Sequence, residues 1–219
     1  MKFFSIYFLL LITIITILGC KKSTKSFTEI DNKSYIMDFE LLQENPDNQT
    51  SIKITSPIAT VDPSNNNLEM LESTIEVLSK DGQDFRIKSG NSILNNITNS
   101  IKVFNSVNIS FLNRPDYYIT TNSFLWDMET SIIDINNPVK VNFNNTKITA
   151  TNGSYIIDSK LLKIVNSDFS RVNFNSEGHV DYEMKIKSDF AKWFKKDNTF
   201  VFRSKEKQVE TTINFLITK

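Results

Sequence analysis

From about residue 35 to the end, apolar and polar side chains alternate in short runs broken by turn-forming clusters. Tyr35, Met37, Phe39 and Leu41 open the series, and Ile133, Ile135, Val139, Val141 and Phe143 share one parity in its middle. A period of two places every second side chain on the same face of a strand, so each run has one apolar and one polar face. The clusters NPDN, DPSNNN, KDGQD, NNITNS, NRPD and NSEG punctuate the runs. Their Asn, Asp, Gly and Pro residues favour turns, and many short strands at close spacing predict an all-β architecture. One stretch breaks the rule. In Ser188–Lys196, Phe190, Trp193 and Phe194 fall on one side of a 3.6-residue period behind a Ser-Asp cap, which predicts a short helix. Two further strands are expected at Thr199–Arg203 and Val209–Ile217.

The alternation is also repeated. A shift of 31 residues lays Phe124 on Tyr155, Asp127 on Asp158, Ile133 on Ile164, Val141 on Val172 and Phe143 on Phe174. A shift of 32 lays Ile101 on Ile133, Val107 on Val139, Ile109 on Val141 and Phe111 on Phe143. Four tandem units are thus visible between Ile52 and Phe174, the first broken by Pro57 and Pro63. A unit of this size cannot bury its own apolar face and must stack on its neighbours. The expected domain, residues 35–219, is therefore a stacked antiparallel β-repeat. An open stack leaves terminal strands unpaired, and the strand at Phe169–Phe174, or the one after it, is expected to be such an edge.

The start of the chain differs. Lys2 is followed by the apolar run FFSIYFLLLITIITIL and then Gly19-Cys20. A positive start, an apolar core and a small residue before the cut describe a secretory signal, residues 1–19. Ile17-Leu18-Gly19-Cys20 resembles the lipobox of bacterial lipoproteins, which marks Cys20 for acylation. Several buried acyl chains, at ~0.8 kcal/mol per CH₂, hold a protein at a bilayer. The competing expectation is a retained N-terminal helix as anchor, although the run is shorter than the ~20 residues of a usual span. Residues 20–34, including KKSTKS, read as a tether. Cys20 is the only cysteine, so no intramolecular disulfide forms. Lys2 is the only charge before Cys20, and the 25 basic and 25 acidic residues of the whole chain balance. That balance argues against a nucleic-acid partner.

The segments YYITTNSFLWDMETSIIDINNPVKVNF and KITATNGSYIIDSKLLKI resemble the LptC-type lipopolysaccharide-export bridge proteins. The likeness rests on Thr120–Asp127, on Pro138-Val139, and on the aromatic-to-Asp turn Tyr155–Asp158. It implies a sheet folded over on itself, a β-jelly roll or β-taco, whose apolar cleft carries lipopolysaccharide acyl chains across the periplasm. It also implies three partners: lipopolysaccharide, a transport ATPase (ABC transporter) membrane complex, and a second β-taco bridge protein joined strand to strand. The expected cleft residues are Val107, Ile109, Phe111, Ile133, Ile135, Val139, Val141, Phe143, Ile164, Val172 and Phe174. The expected location is a periplasmic domain tethered to the inner membrane. Lys21, standing where enteric inner-membrane lipoproteins carry Asp, points instead to the outer membrane.

Catalysis finds little support in the residues, and no cofactor or metal is expected. His179 is the only histidine and sits in the turn beside Glu177-Gly178, without the orienting neighbour that a general base requires. No nucleophile elbow, phosphate-cradling glycine loop or His-Glu-x-x-His zinc pattern occurs. Asp127 and Asp158 occupy equivalent positions of two repeats and read as turn formers. The tail Lys185–Lys219 carries nine basic and four acidic residues. It reads as a solvated hairpin face or as a surface for lipopolysaccharide phosphates, and Arg114 and Arg171 invite the same two readings. Alternation alone is identical in a closed core and in an open cleft, so the other class in contention is a structural or adhesive surface lipoprotein with a closed β core and no lipid cargo.

Overall fold

The computed structural model describes residues 34–45, 50–62, 64–79, 82–111, 114–205 and 208–215. The expected signal segment, Cys20 and the tether up to residue 33 lie outside the described residues. Residues 33–219 form one compact unit.

Among the described residues, sixteen strands make a single antiparallel sheet: β1 Ser34–Asn45, β2 Thr50–Asp62, β3 Asn67–Leu71, β4 Thr74–Ser79, β5 Gly82–Lys88, β6 Asn91–Asn95, β7 Ser100–Phe111, β8 Arg114–Asp127, β9 Ile132–Ile135, β10 Val139–Phe143, β11 Thr146–Ala150, β12 Asn152–Ile156, β13 Leu161–Phe174, β14 Val180–Phe194, β15 Thr199–Arg203 and β16 Glu210–Phe215. No helix occurs among the described residues. The pairings resolve into a meander of long rungs. Strands β1, β2, β7, β8, β13 and β14 are each one unbroken rung. The other rungs are strand pairs laid end to end: β3 with β4, β5 with β6, β9 with β10, β11 with β12, and β15 with β16.

Every rung breaks or bends near its middle, which divides the sheet into two leaves. In the first leaf β2 pairs β4, β7 pairs β5, β8 pairs β10, β13 pairs β11 and β14 pairs β16. In the second leaf the other halves of the same long strands pair β3, β6, β9, β12 and β15. The 31-residue sequence period is therefore two antiparallel rungs, the shortest step that restores strand direction.

The crease is built from particular residues. Asp38 in β1, Asn105 and Ser106 in β7, and Asn166 in β13 adopt positive φ inside their strands. Such residues turn the strand, and in β7, where two are adjacent, they form a bulge that shifts register between Phe104 and Val107. At Gly90 a Cβ would lie 3.1 Å from the Asn105 carbonyl oxygen. A glycine leaves room for this close approach, in which the Asn105 carbonyl accepts from the Gly90 N–H at 2.7 Å. A run of buried hydroxyls follows the crease. The Ser56 hydroxyl donates toward the carbonyls of Leu71 (2.6 Å) and Ile58 (2.7 Å), Ser92 donates to Ser73 (2.8 Å), and Ser167 pairs with Ser188 (2.8 Å). Each bend interrupts the ladder, and buried polar groups left without partners cost ~1–3 kcal/mol. The serines supply partners without bulk.

Two expectations are corrected here. Ser188–Lys196 is no helix, because Ser188–Phe194 is the second half of β14. Ala191 and Trp193 point inward and are buried, while Phe190 lies on the other parity beneath the Lys205 ammonium. Aromatics on both faces of a strand imitate helical spacing. The strand at Phe169–Phe174 is not an edge: β13 is flanked by β11 and β12 on one side and by β14 on the other, and β14 in turn by β15 and β16. The sheet ends at β1 and at β15–β16.

Candidate functional site

The inner faces of the two leaves form the one extended apolar surface that runs the length of the meander. In the first leaf, directly opposed residues make a single row across successive rungs: Leu41, Ile54, Ile75, Ile87, Ile109, Ile119, Val141, Ile148, Phe169 and Ile186. β-Branched side chains suit such a row, since directly opposed pairs stabilise a sheet by roughly 0.2–1 kcal/mol each. The second leaf answers with Val61, Leu68, Leu94, Ile101, Trp126, Ile133, Tyr155, Leu162, Trp193 and Phe200. Folding at the crease brings this bulkier row against the first.

Rings join the leaves at their free margins. Phe85 and Phe111 of the first leaf meet Tyr155 edge-on at 6.0 and 6.2 Å, and Phe85 meets Trp126 at 6.5 Å. Further along, Phe143 stacks on Trp193 (5.2 Å) and Phe200 (5.3 Å), and Phe169 packs edge-on against Phe200 (5.6 Å) and Phe202 (5.3 Å). Aromatic pairs of this geometry add ~0.5–1.5 kcal/mol each to the area they bury.

Of the residues expected to face a cleft, Val107, Ile109, Phe111, Ile133, Ile135, Val139, Val141, Phe143 and Ile164 are buried in this interior. Val172 and Phe174 do not join them. At Asn166, which has positive φ, the alternation of β13 changes face without a change of register, so Ser167 and Phe169 take the inward parity and Val172 and Phe174 take the opposite one. Val172 is half-buried and Phe174 is 44 % exposed. The column equivalent of Val141 in β13 is thus Phe169, not Val172. Sequence reasoning also passed over the second-leaf aromatics Trp126, Tyr155, Trp193 and Phe200. They share their neighbours' alternation, and only the length of the ring series distinguishes them.

Above the ring seam the two margins are tied by charge. The Lys160 ammonium, in the turn between β12 and β13, lies 2.8 Å from Asp84 Oδ1 in β5. Just past β14, Lys195 sets its ammonium 3.9 Å above the Phe111 ring. Burial pulls the Lys195 ammonium down to about 8, against the pull of Asp84 and with the push of Lys160 and Arg114. Burial, then the Asp84 charge, raises the Tyr155 phenol. At the first-leaf margin Arg114 Nη1 donates to Tyr117 Oη (2.9 Å) and the guanidinium lies 5.1 Å from that ring.

The remaining polar candidates are structural. Asp127 Oδ1 accepts from the N–H groups of Glu129 (3.0 Å) and Thr130 (3.2 Å), and bonds from Thr130 hold its carboxyl below the usual range. His179 is exposed in the β13–β14 turn, 3.5 Å from Glu177. No group of three or more metal-ligating side chains gathers among the described residues.

No curated protein matches the chain closely enough to count as a relative. A family model described as lipopolysaccharide-assembly, LptC-related matches residues 4–167, well over half of the chain. The match ends at Ser167, the bend of β13, so β14, β15 and β16 lie beyond it. The chain belongs to this LptC family, whose members are lipopolysaccharide-transport bridge proteins with a periplasmic domain tethered to the inner membrane.

Proposed function

We propose that this domain accepts lipopolysaccharide from a membrane transport ATPase complex and passes it along the apolar interior between its two leaves. The observation that carries the reading is the unbroken apolar row from Leu41 in β1 to Ile186 in β14. It offers hydrocarbon the same surface at every step of the meander. Acyl chains reach that surface by parting the ring seam, with the crease as hinge. Tethering comes from acylation of Cys20 or from a retained N-terminal helix. The neighbouring components dock by strand addition, one on β1 and one on β15–β16, the two places where the sheet ends. The reading needs no catalytic group and no cofactor.

The other reading, a structural or adhesive lipoprotein with a closed core, draws on a specific observation too. The margins are bridged by Asp84–Lys160, and the inward side chains are almost wholly buried. One experiment separates the two. The full-length protein, carrying a diazirine amino acid at Val141, is irradiated in a lipopolysaccharide-producing host. Asn142, on the opposite face of β10, is the control. A lipopolysaccharide adduct at Val141 and none at Asn142 is the expected result. Equal labelling at both sites, or none at Val141 and at Phe169 in the same row, leaves the closed core as the function-bearing form.

A further inference from the structure

We propose that Arg114, Lys160 and Lys195 form a binding site for the phosphate groups of a phosphorylated, acylated glycolipid at the margin where the two leaves meet. The Asp84 carboxylate is the internal stand-in that the phosphate displaces. The inference rests on the lipid-transport reading above and names which part of the lipid this margin holds.

Four elements converge there. Asp84 comes from β5 and Arg114 from the start of β8, both in the first leaf. Lys160 comes from the β12–β13 turn and Lys195 from the end of β14, both in the second. The backbone fixes the two lysines to each other, since the Lys195 N–H donates to the Lys160 carbonyl at 3.1 Å. Asp84 reaches Lys160 with a single oxygen, and Phe111, which lies beneath Lys195, pairs with Phe85 beside Asp84 on one side and with Arg114 on the other. Among the described residues, no carboxylate comes within ion-pair distance of Lys195 or Arg114. Those two charges rest instead on the rings of Phe111 and Tyr117. A half-buried ammonium with only a ring beneath it is an incompletely satisfied cation.

A phosphate monoester carries about −1.5 to −2 charges and three acceptor oxygens, which matches the excess left after Asp84 is counted. Lysine and arginine in combination suit it, one as a point charge and one as a planar fork. Position completes the case. Phe111, directly under Lys195, belongs to the ring seam and contacts Phe85, Tyr155 and Trp193. A phosphate held here places the acyl chains attached to the same sugar over the seam. Taking Lys160 from Asp84 releases the ion pair that ties the margins together. Anchoring the headgroup and loosening the seam are one event.

The test uses the full-length protein and three probes: lipid A micelles carrying both phosphates, the same lipid with its phosphates removed, and inorganic pyrophosphate. Wild type is expected to bind the phosphorylated lipid at least ~10-fold more tightly than the dephosphorylated one, as one charge-assisted contact provides. Lys195→Gln and Arg114→Gln each erase most of that preference without changing affinity for the dephosphorylated lipid. Lys195→Arg keeps it, which separates charge from fold. Asp84→Asn, with the internal competitor gone, strengthens binding of the phosphorylated lipid alone. Equal affinity of wild type for the two lipids, or a preference unmoved by both Gln variants, overturns the site and leaves the cleft intact. Pyrophosphate binding as tightly as the phosphorylated lipid overturns the headgroup assignment in favour of a free phosphate compound. Failure of either lipid to bind removes the transport reading along with this one.

Discussion

The two ends of the meander share one alternation and differ in how it is buried. At the β1–β2 end the inward side chains include Ile36, Phe39, Leu41, Ile52 and Val61, beside the fully buried Ile54 and Ala59 of β2. Ile36 is 38 % exposed, and Phe39, Leu41, Ile52 and Val61 are partly buried, packed only against the margin of the core. From β5 to β15 the same inward positions hold Phe85, Phe111, Tyr117, Phe143, Tyr155, Trp193 and Phe200, ring against ring across the leaves. Row membership therefore does not determine packing. The rings of the later rungs reach across to the facing leaf, whereas, among the described residues, the terminal rung β1 has a neighbouring strand on one side only. The terminal rung β1 is accordingly less enclosed than the rungs at which the rings meet.

Truncation at each end is the hardest test of that contrast. Trp193→Ala removes the ring that touches Phe111, Tyr117, Phe143 and Phe200. It is expected to cost about 3–5 kcal/mol, the range for large buried aromatics. Phe39→Ala, at a half-exposed position of the terminal rung, is expected to cost about 1 kcal/mol. Urea unfolding of the two variants reads the difference directly. Equal losses would mean that the terminal rung is packed as tightly as the seam, and the contrast would have to be abandoned.

Charge at the margin gives a smaller effect with a definite sign. Lys195 is held down to about 8 by burial, against 10.5 when free, so the folded protein is the poorer proton binder between those values. The penalty for a charged Lys195 is present in full below pH 8 and lifts as pH rises toward 10.5, so this residue makes stability increase with pH across that window. The solvent that reaches its half-buried side chain limits the gain to about 1 kcal/mol. Tyr155 opposes it only above pH 10, where the unfolded phenol ionises and the buried one resists. Urea midpoints between pH 7 and 9.5 should therefore rise in wild type and lose that rise in Lys195→Met. A slope that survives in the variant would assign it to another group.

Much of this could be read from the residues, and the failures have a common cause. The parity of Ile133 to Phe143, the turns at the Asn and Asp clusters, and the turn role of Asp127 are local properties, and alternation encodes them directly. Each miss involved information from a distance or the backbone conformation of a single residue. Asn166 looks like any other asparagine of the chain, yet its positive φ moves Val172 and Phe174 to the other face. The Asp84–Lys160 pair joins residues 76 apart, and nothing local to either announces the other. The serines of the crease are ordinary strand residues until the sheet folds and leaves carbonyls for them to bond. Phe190, Trp193 and Phe194 resemble a helix because one of them serves the inner face and two serve the outer.

The least costly substitution bears on the ends themselves. Tyr35 and Met37 are 66 % and 67 % exposed on the outward face of β1, opposite Thr60 and Ile58 of β2. Along its other side β1 pairs with no strand of this chain among the described residues. A long edge strand with exposed apolar side chains invites pairing, and lysine on such a strand is a common means of preventing it. Met37→Lys should change the free energy of unfolding in urea by no more than about 0.5 kcal/mol, as surface changes usually do. If β1 is the docking edge, the same variant should lose most of its co-purification with the membrane transport complex. A matched lysine at Thr212 of β16, on the opposite terminal rung, should leave that contact unchanged. Should both lysines act alike, the two ends would be equivalent as docking edges.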